Sequence, residues 1–205
     1  VWAMDLDSAA SSLSDLVKWS LVEFDPAIGR YHLHDLARDY ASSRLEADLR
    51  MPADQRHAKH YQEQLWKASD LFMRGGDSLS IGQTMFDSDW INIQAGQKWT
   101  ESHASESFEI AEICSNFAWP GSILNLRLHP RENVKWLRAA LVAARQIKNK
   151  YADGAHLGNL GLAYAGLGDA RKAIEYYDQA LAISREIGDR RGEGAILGNL
   201  GLAYA

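Results

Sequence analysis

The sequence predicts a mainly α-helical protein that ends in an α-solenoid, and three features carry that expectation. First, "GAHLGNLGLAYAGLGD" from Gly154 recurs as "GAILGNLGLAYA" from Gly194, a period of 40 residues, which lies in the range of helical repeat arrays. Second, apolar residues through most of the chain recur at three- and four-residue intervals, the signature of helices with one buried face. Third, strand-like alternation is confined to one short stretch around "DPAIG" at 25–29.

Taken in order, "DSAASSLSDLVKWSLV" places Leu13, Leu16, Val17 and Leu21 at helical spacing, with Ser and Asp available as caps. "SLVEFDPAIGRYHLHDL" then alternates apolar and polar residues about a turn with hairpin chemistry. "HDLARDYASSRLEADL" returns to helical periodicity through Leu36, Tyr40 and Leu45. Helix, hairpin, helix is the closing half of a winged helix.

With "SLV" at 20–22 and "RYHLHDLARDYA" at 30–41, this segment resembles the winged helix that ends the nucleotide-binding module of NB-ARC/AP-ATPases, the signal-transduction ATPases with numerous domains. In that family a Met/Leu-His-Asp triplet closes on bound nucleotide, and its imidazole contacts the β-phosphate of ADP in the resting state. Leu33-His34-Asp35 matches the triplet, so the resemblance implies a nucleotide contact by His34 and Asp35 in a longer parent protein. An imidazole suits the task because either ring nitrogen can donate to a phosphate oxygen. Asp35 at a helix start is favoured by the free N–H groups there. Taken alone, a His-Asp pair at such a junction is more often a cap and a packed imidazole than a ligand. The chain has no GxxxxGK[ST] loop and no acidic strand end to hold Mg²⁺. ADP or ATP with Mg²⁺ is therefore expected only in the parent, with negligible nucleotide affinity, no hydrolysis and no catalytic residue in this chain.

"PADQRHAKHYQEQLWKASDLFMRGG" reads as a helix through His57, Tyr61, Leu65, Ala68 and Phe72, with Pro52 in its first turn and Gly75-Gly76 at its end. "DSDWINIQAGQKWTES" reads as a second helix with Trp90, Ile93 and Trp99 facing inward. The pair resembles, more loosely, the helical connector after the winged helix of the same family. "SFEIAEICSNFAWPGSILNL" and "ENVKWLRAALVAARQIKNKYADGA" are a worn copy of the repeat. Trp136, Leu137, Ala140, Leu141 and Ile147 fall under Tyr176, Tyr177, Ala180, Leu181 and Ile187, and Pro120 is expected to kink the first helix.

In the clearest copy, Leu157, Leu160, Leu162 and Tyr164 lie on a first helix that Gly166 and Gly168 end. Asp169 caps a second, whose apolar stripe is Ala173, Tyr176, Tyr177, Ala180, Leu181 and Ile187. Leu160-Gly161, Tyr164, Gly168, Ala173, Tyr177 and Ala180 resemble the tetratricopeptide repeat, in the longer form seen in kinesin light chains and bacterial signalling ATPases. The expected organisation is a winged-helix remainder at 1–50, a connector at 51–106, a degenerate helix pair at 107–153, a repeat at 154–193 and the first helix of a further repeat at 194–205. From the missing initiator Met and the stop within a copy, the chain is expected to be a piece of a longer protein.

Other chemistries find little support. A net charge of −5, with nine acidic against five basic residues in 1–50, is a poor surface for DNA. No apolar run spans a bilayer and no signal peptide opens the chain, and a single cysteine fits a reducing, cytoplasmic setting. The single cysteine, Cys114, reads as a buried, inert thiol rather than a nucleophile. His32 with His34 and His57 with His60 invite a zinc reading, but no thiolate pair or HExxH frame supports it, and solvated or capping histidines are expected. The seven tryptophans, Trp2 to Trp136, are scattered as core residues are and form no stacking platform.

The repeat surface is the functional candidate. In tetratricopeptide arrays the first helices line a concave groove that receives peptides or partner helices. Asn159 and Asn199 occupy matching positions there, and in the family such asparagines hydrogen-bond a ligand's backbone. The alternative is that Asn159 caps or bridges neighbouring helices. Ala155, Leu162 and Ala165 make the rest of the groove bland. The resemblance implies a sensor: a ligand on the repeats disturbs the connector, releases His34 from ADP and frees the parent to oligomerise. The other reading is a plain scaffold with no nucleotide coupling.

Overall fold

The computed structural model describes residues 5–26 and 29–204. It is mainly α, with ten α-helices and one two-stranded sheet among the described residues. Two compact units divide between Arg56 and His57.

In the first unit, helix α1 (Leu6–Lys18) starts where the Asp5 carboxylate accepts the Ser8 N–H at 2.9 Å. That cap satisfies one of the free N–H groups of the first turn. Strands β1 (Val22–Asp25) and β2 (Arg30–Leu33) pair antiparallel, with Val22 opposite Leu33 and Phe24 opposite Tyr31. Gly29, at φ +65°, supplies the left-handed residue that the return requires. Ala27 and Ile28 of the expected turn lie outside the described residues, as does Trp2. Helix α2 (Asp35–Arg44) follows at once. Its Leu36 and Tyr40 point outward, 79% and 62% exposed, so their helical spacing does not build a core. Among the described hydrophobic residues of this unit, only Val22 is buried.

Helix α3 (Ala47–Arg74) begins earlier than its sequence suggests. Pro52 stands inside it rather than in its first turn. An extra turn forms ahead of the proline, where the Glu46 carbonyl accepts the Arg50 N–H at 3.0 Å. Proline lacks an N–H, so this early position costs one ladder bond without ending the helix. The boundary between the units falls within α3.

In the second unit, Gly75 and Gly76, both at positive φ, turn α3 into α4 (Asp77–His103). The two helices approach closely: a Cβ on Gly82 would stand 2.5 Å from the Ala68 carbonyl oxygen, and one on Gly96 would stand 3.1 Å from Ala58 Cα. Leu65, Ile93, Phe117, Ile123 and Leu124 fill the core between them and the helices that follow. Trp90 is half-buried and stacks between Phe86 and Trp136, at 5.2 and 5.7 Å. Trp99 is also half-buried. Trp19 and Trp66, by contrast, are 73% and 46% exposed and belong to no core.

Pro120 does not kink a helix; it separates two. Helix α5 (Phe108–Asn116), capped by Ser107, ends before it, and α6 (Gly121–Arg127) starts directly after it. The solenoid then runs through α7 (Pro130–Gln146), α8 (Lys150–Gly166), α9 (Ala170–Ile187) and α10 (Arg190–Tyr204). Helix α8 gains four residues ahead of Gly154 because Asn149 caps it through the Ala152 N–H, at 3.0 Å. Asp189 does the same for α10 through Gly192, at 2.9 Å. Asp169 caps α9 through Lys172, at 3.1 Å. Leu157, Leu160, Tyr164, Ala173, Tyr177, Ala180 and Leu181 are all buried in one cluster. Ile187 is not part of it, at 38% exposure. Ser184, three residues earlier, takes the last buried place before the left-handed Gly188 turns the chain away.

Each seam between helix pairs carries the same ion pair. Arg145 reaches Asp153 at 3.1 Å, and 40 residues on Arg185 reaches Glu193 at 2.7 Å. Both acids are largely sheltered, with side chains 11% and 16% exposed, and both arginines are about half exposed.

Candidate functional site

Helices α6, α8 and α10 together line an open groove of about 520 Å³. Each contributes an asparagine: Asn125, Asn159 and Asn199. Asn159 and Asn199 share a helical position because the repeat copies it, and both are half-buried. Neither amide has a hydrogen-bond partner among the described residues. Each therefore offers a donor and an acceptor at the groove. Asn125 accepts from the Asn133 amide at 2.6 Å.

Ala155 and Leu162 line the same groove, Leu162 at 47% exposure. Sequence reasoning thus drew four residues from two helices that the structure brings to one surface. Ala165 is exposed but does not line the groove. Trp119 and Tyr151 were missed. Their rings stack at 5.9 Å against the groove. Ile187, displaced from the core, joins the lining. The flanking chemistry is neutral except for Asp189, which is engaged as a cap, and Arg191.

Beneath the groove, His156 is fully buried. Its Nε2 lies 3.0 Å from Ser115 Oγ, and Trp119 packs 5.4 Å from its ring. Its Nδ1 has no hydrogen-bond partner among the described residues. Burial pulls its pKa down to about 4, so it is neutral at physiological pH. The sequence signal was present but unused: the copy places Ile196 at this position.

His34 and Asp35 sit at the start of α2. His34 is the N-cap residue, yet its side chain makes no cap hydrogen bond and is exposed. Asp35 pairs with Arg38 at 2.9 Å, and Arg38 also donates to the Leu33 carbonyl at 3.2 Å. Cys114 is buried, and burial pushes its thiol up to about 12, which leaves no thiolate for nucleophilic chemistry. His57 lies 3.4 Å from Asn92 and His60 meets the edge of Tyr61. Among the described residues no cluster of His, Cys, Asp and Glu has the grouping a metal needs.

The geometry defines a class: a helical-repeat protein with a groove on the first helices of its units. A family profile described as tetratricopeptide repeat matches residues 135–205, from α7 through α10. No curated protein matches the chain. The match includes the second helix of the worn copy and both clear ones. Tetratricopeptide repeats point to a role in protein–protein interaction. Among the described residues no helix is long and apolar enough to cross a membrane.

Proposed function

We propose that the groove of α6, α8 and α10 binds an extended segment of a protein partner, held through its backbone by Asn159 and Asn199. The observation that carries this reading is the pair of equivalent, unengaged amides on adjacent helices, flanked by Ala155 and Leu162. Backbone recognition by side-chain amides needs a donor and an acceptor on each residue, which asparagine supplies. Small neighbours such as Ala155 let a peptide backbone approach closely.

Peptides selected from a random library on the chain provide the test. Asn159→Ala and Asn199→Ala should each weaken their binding by about tenfold, the loss expected for one or two hydrogen bonds. Alanine keeps the helix, since its propensity exceeds that of asparagine. Undiminished binding by the double variant, measured by calorimetry, would sink the reading.

A second, finer reading assigns the chain to a cytoplasmic signalling ATPase as its regulatory part, with His34 contacting the β-phosphate of ADP in the parent and Asp35 beside it. Two observations favour it. The His34 side chain is exposed and not consumed by capping. The first unit also leaves Trp19, Phe24, Tyr31, Leu36, Tyr40 and Leu49 exposed, as expected of half a module that meets a larger body. In this reading a ligand on the repeats loosens the latch and the parent assembles. The full-length protein should then retain ADP through purification and lose most of it on His34→Ala. Equal retention refutes the latch and leaves the scaffold reading.

A further inference from the structure

The asparagine positions of the groove have a third equivalent, and it holds a ring. Trp119 stands forty residues before Asn159, as Asn199 stands forty after it. All three line the same groove. At Asn159 and Asn199 an amide offers the occupant a donor and an acceptor. At the third place the Trp119 indole stacks on Tyr151 at 5.9 Å instead, backed by the buried His156 ring at 5.4 Å.

Trp119 is also a wall of a second hollow, of about 260 Å³, shared with Trp66 and Met73 of α3 and with Pro120. Trp66 is 46% exposed, and its indole N–H donates to the Asn116 carbonyl at 3.2 Å, which fixes the ring. Among the described residues that line this hollow the single charge is Asp70, already paired with Arg74 at 2.6 Å. On the other side of Trp66, Glu63 and Lys67 offset each other in charge. The groove therefore continues past its amides onto three rings, Tyr151, Trp119 and Trp66, in neutral surroundings.

This lining selects its occupant. A residue over Trp119 finds no amide to take its N–H, and proline is the residue that has none. Neutral aromatic walls favour an apolar ring over a cation, and Pro-rich segments dock in grooves of this aromatic kind. Spacing agrees. Helices α8 and α10 lie side by side, and packed helices stand about 8–10 Å apart. One turn of polyproline II, three residues at about 3.1 Å each, rises about 9 Å. A segment in that conformation places every third residue over Asn199, Asn159 and Trp119 in turn.

We propose that the partner segment is proline-rich and lies in the groove as a polyproline II helix, with prolines on Tyr151, Trp119 and Trp66 and neighbouring backbone groups on Asn159 and Asn199. The inference rests on the groove's taking an extended segment, and it adds which kind. The chain's own prolines, Pro26, Pro52, Pro120 and Pro130, stand singly, so a second copy offers no such segment. A further unit packed after α10 would contact its neighbours alone and leave the three rings open.

The probe is a labelled twelve-residue peptide with proline at every third place and alanine or serine between, titrated with the whole chain and followed by fluorescence anisotropy. Saturable binding is expected. The same peptide with each proline replaced by alanine should bind about tenfold more weakly. Trp66→Ala and Tyr151→Ala, both at exposed side chains, should each weaken the proline peptide by about fivefold to tenfold and the alanine peptide far less, with unchanged far-UV circular dichroism. Asn159→Ala should weaken both peptides alike. Equal affinity for the two peptides overturns the proposal, and a loss of both on Asn159→Ala then leaves the backbone reading of the groove in place. Proline-peptide affinity that survives both Trp66→Ala and Tyr151→Ala overturns it as well. So does absence of saturable binding by the proline peptide, and if library-selected peptides still bind, the backbone reading is untouched.

Discussion

Replacing Gly161 by alanine should destabilise the chain by about 2 kcal/mol, whereas the same change at Gly201 should stabilise it by up to about 1 kcal/mol. The residues are equivalent in sequence and both lie within helices. Their surroundings decide the sign. A methyl group on Gly161 would meet the Tyr177 ring at 2.5 Å, and that ring is 1% exposed with nowhere to retreat. Forced overpacking of this kind typically costs 1–3 kcal/mol, roughly, through displaced side chains. At Gly201 nothing among the described residues stands within 4 Å, so only the gain in helix propensity remains. Thermal melts followed by far-UV circular dichroism should show the first variant falling by about 5 °C and the second rising by about 2 °C. Matching shifts in the same direction would contradict the packing described at Tyr177.

Stability should also fall as the pH drops from about 6.5 to about 4, and His156 should account for most of the fall. In the unfolded chain its imidazole titrates near its ordinary value of 6.5, while in the folded chain burial lowers it to about 4. Between these values the unfolded chain binds a proton that the folded chain does not. The contribution is therefore fully present above pH 6.5 and lost on acidification, by up to about 3 kcal/mol. His60, also lowered by burial, acts in the same direction. The contrast with His156→Ile isolates the larger effect, because isoleucine is what the next copy carries at this place, as Ile196. Urea melts at several pH values should show that variant with a much flatter dependence. An unchanged slope would remove His156 as the cause.

The 40-residue copying made the solenoid and half of the groove legible. Asn159, Gly161 and Tyr177 could be placed because each has a counterpart 40 residues away, in Asn199, Gly201 and Leu137. The aromatic part of the site comes from residues without an aromatic counterpart. Trp119 stands in the turn made by Pro120, where the worn copy departs from the pattern, and Tyr151 faces Arg191 in the alignment rather than another aromatic. Nothing in the spacing of Pro52 distinguishes a first turn from a second, since the choice rests on the Glu46 carbonyl. The exposure of Leu36 and Tyr40 was equally hidden. Periodicity reports that a face is apolar, and burial depends on what lies against it. Ile187 shows the same limit at a helix end, where the last apolar residue of a stripe outruns the neighbour that would cover it.

The recurring seam of Arg145 with Asp153 and Arg185 with Glu193 has a consequence for how such an array changes over time. Each helix pair ends in an arginine and the next begins with an acid that receives it, with a capping Asn149 or Asp189 in between. A segment of one full period, cut anywhere and duplicated or deleted, rejoins an arginine to an acid and a cap to its helix. No sheltered carboxylate is stranded by the event, so lengthening and shortening by whole units carry little penalty at the junction. The seam makes the repeat a unit of inheritance as well as a unit of structure.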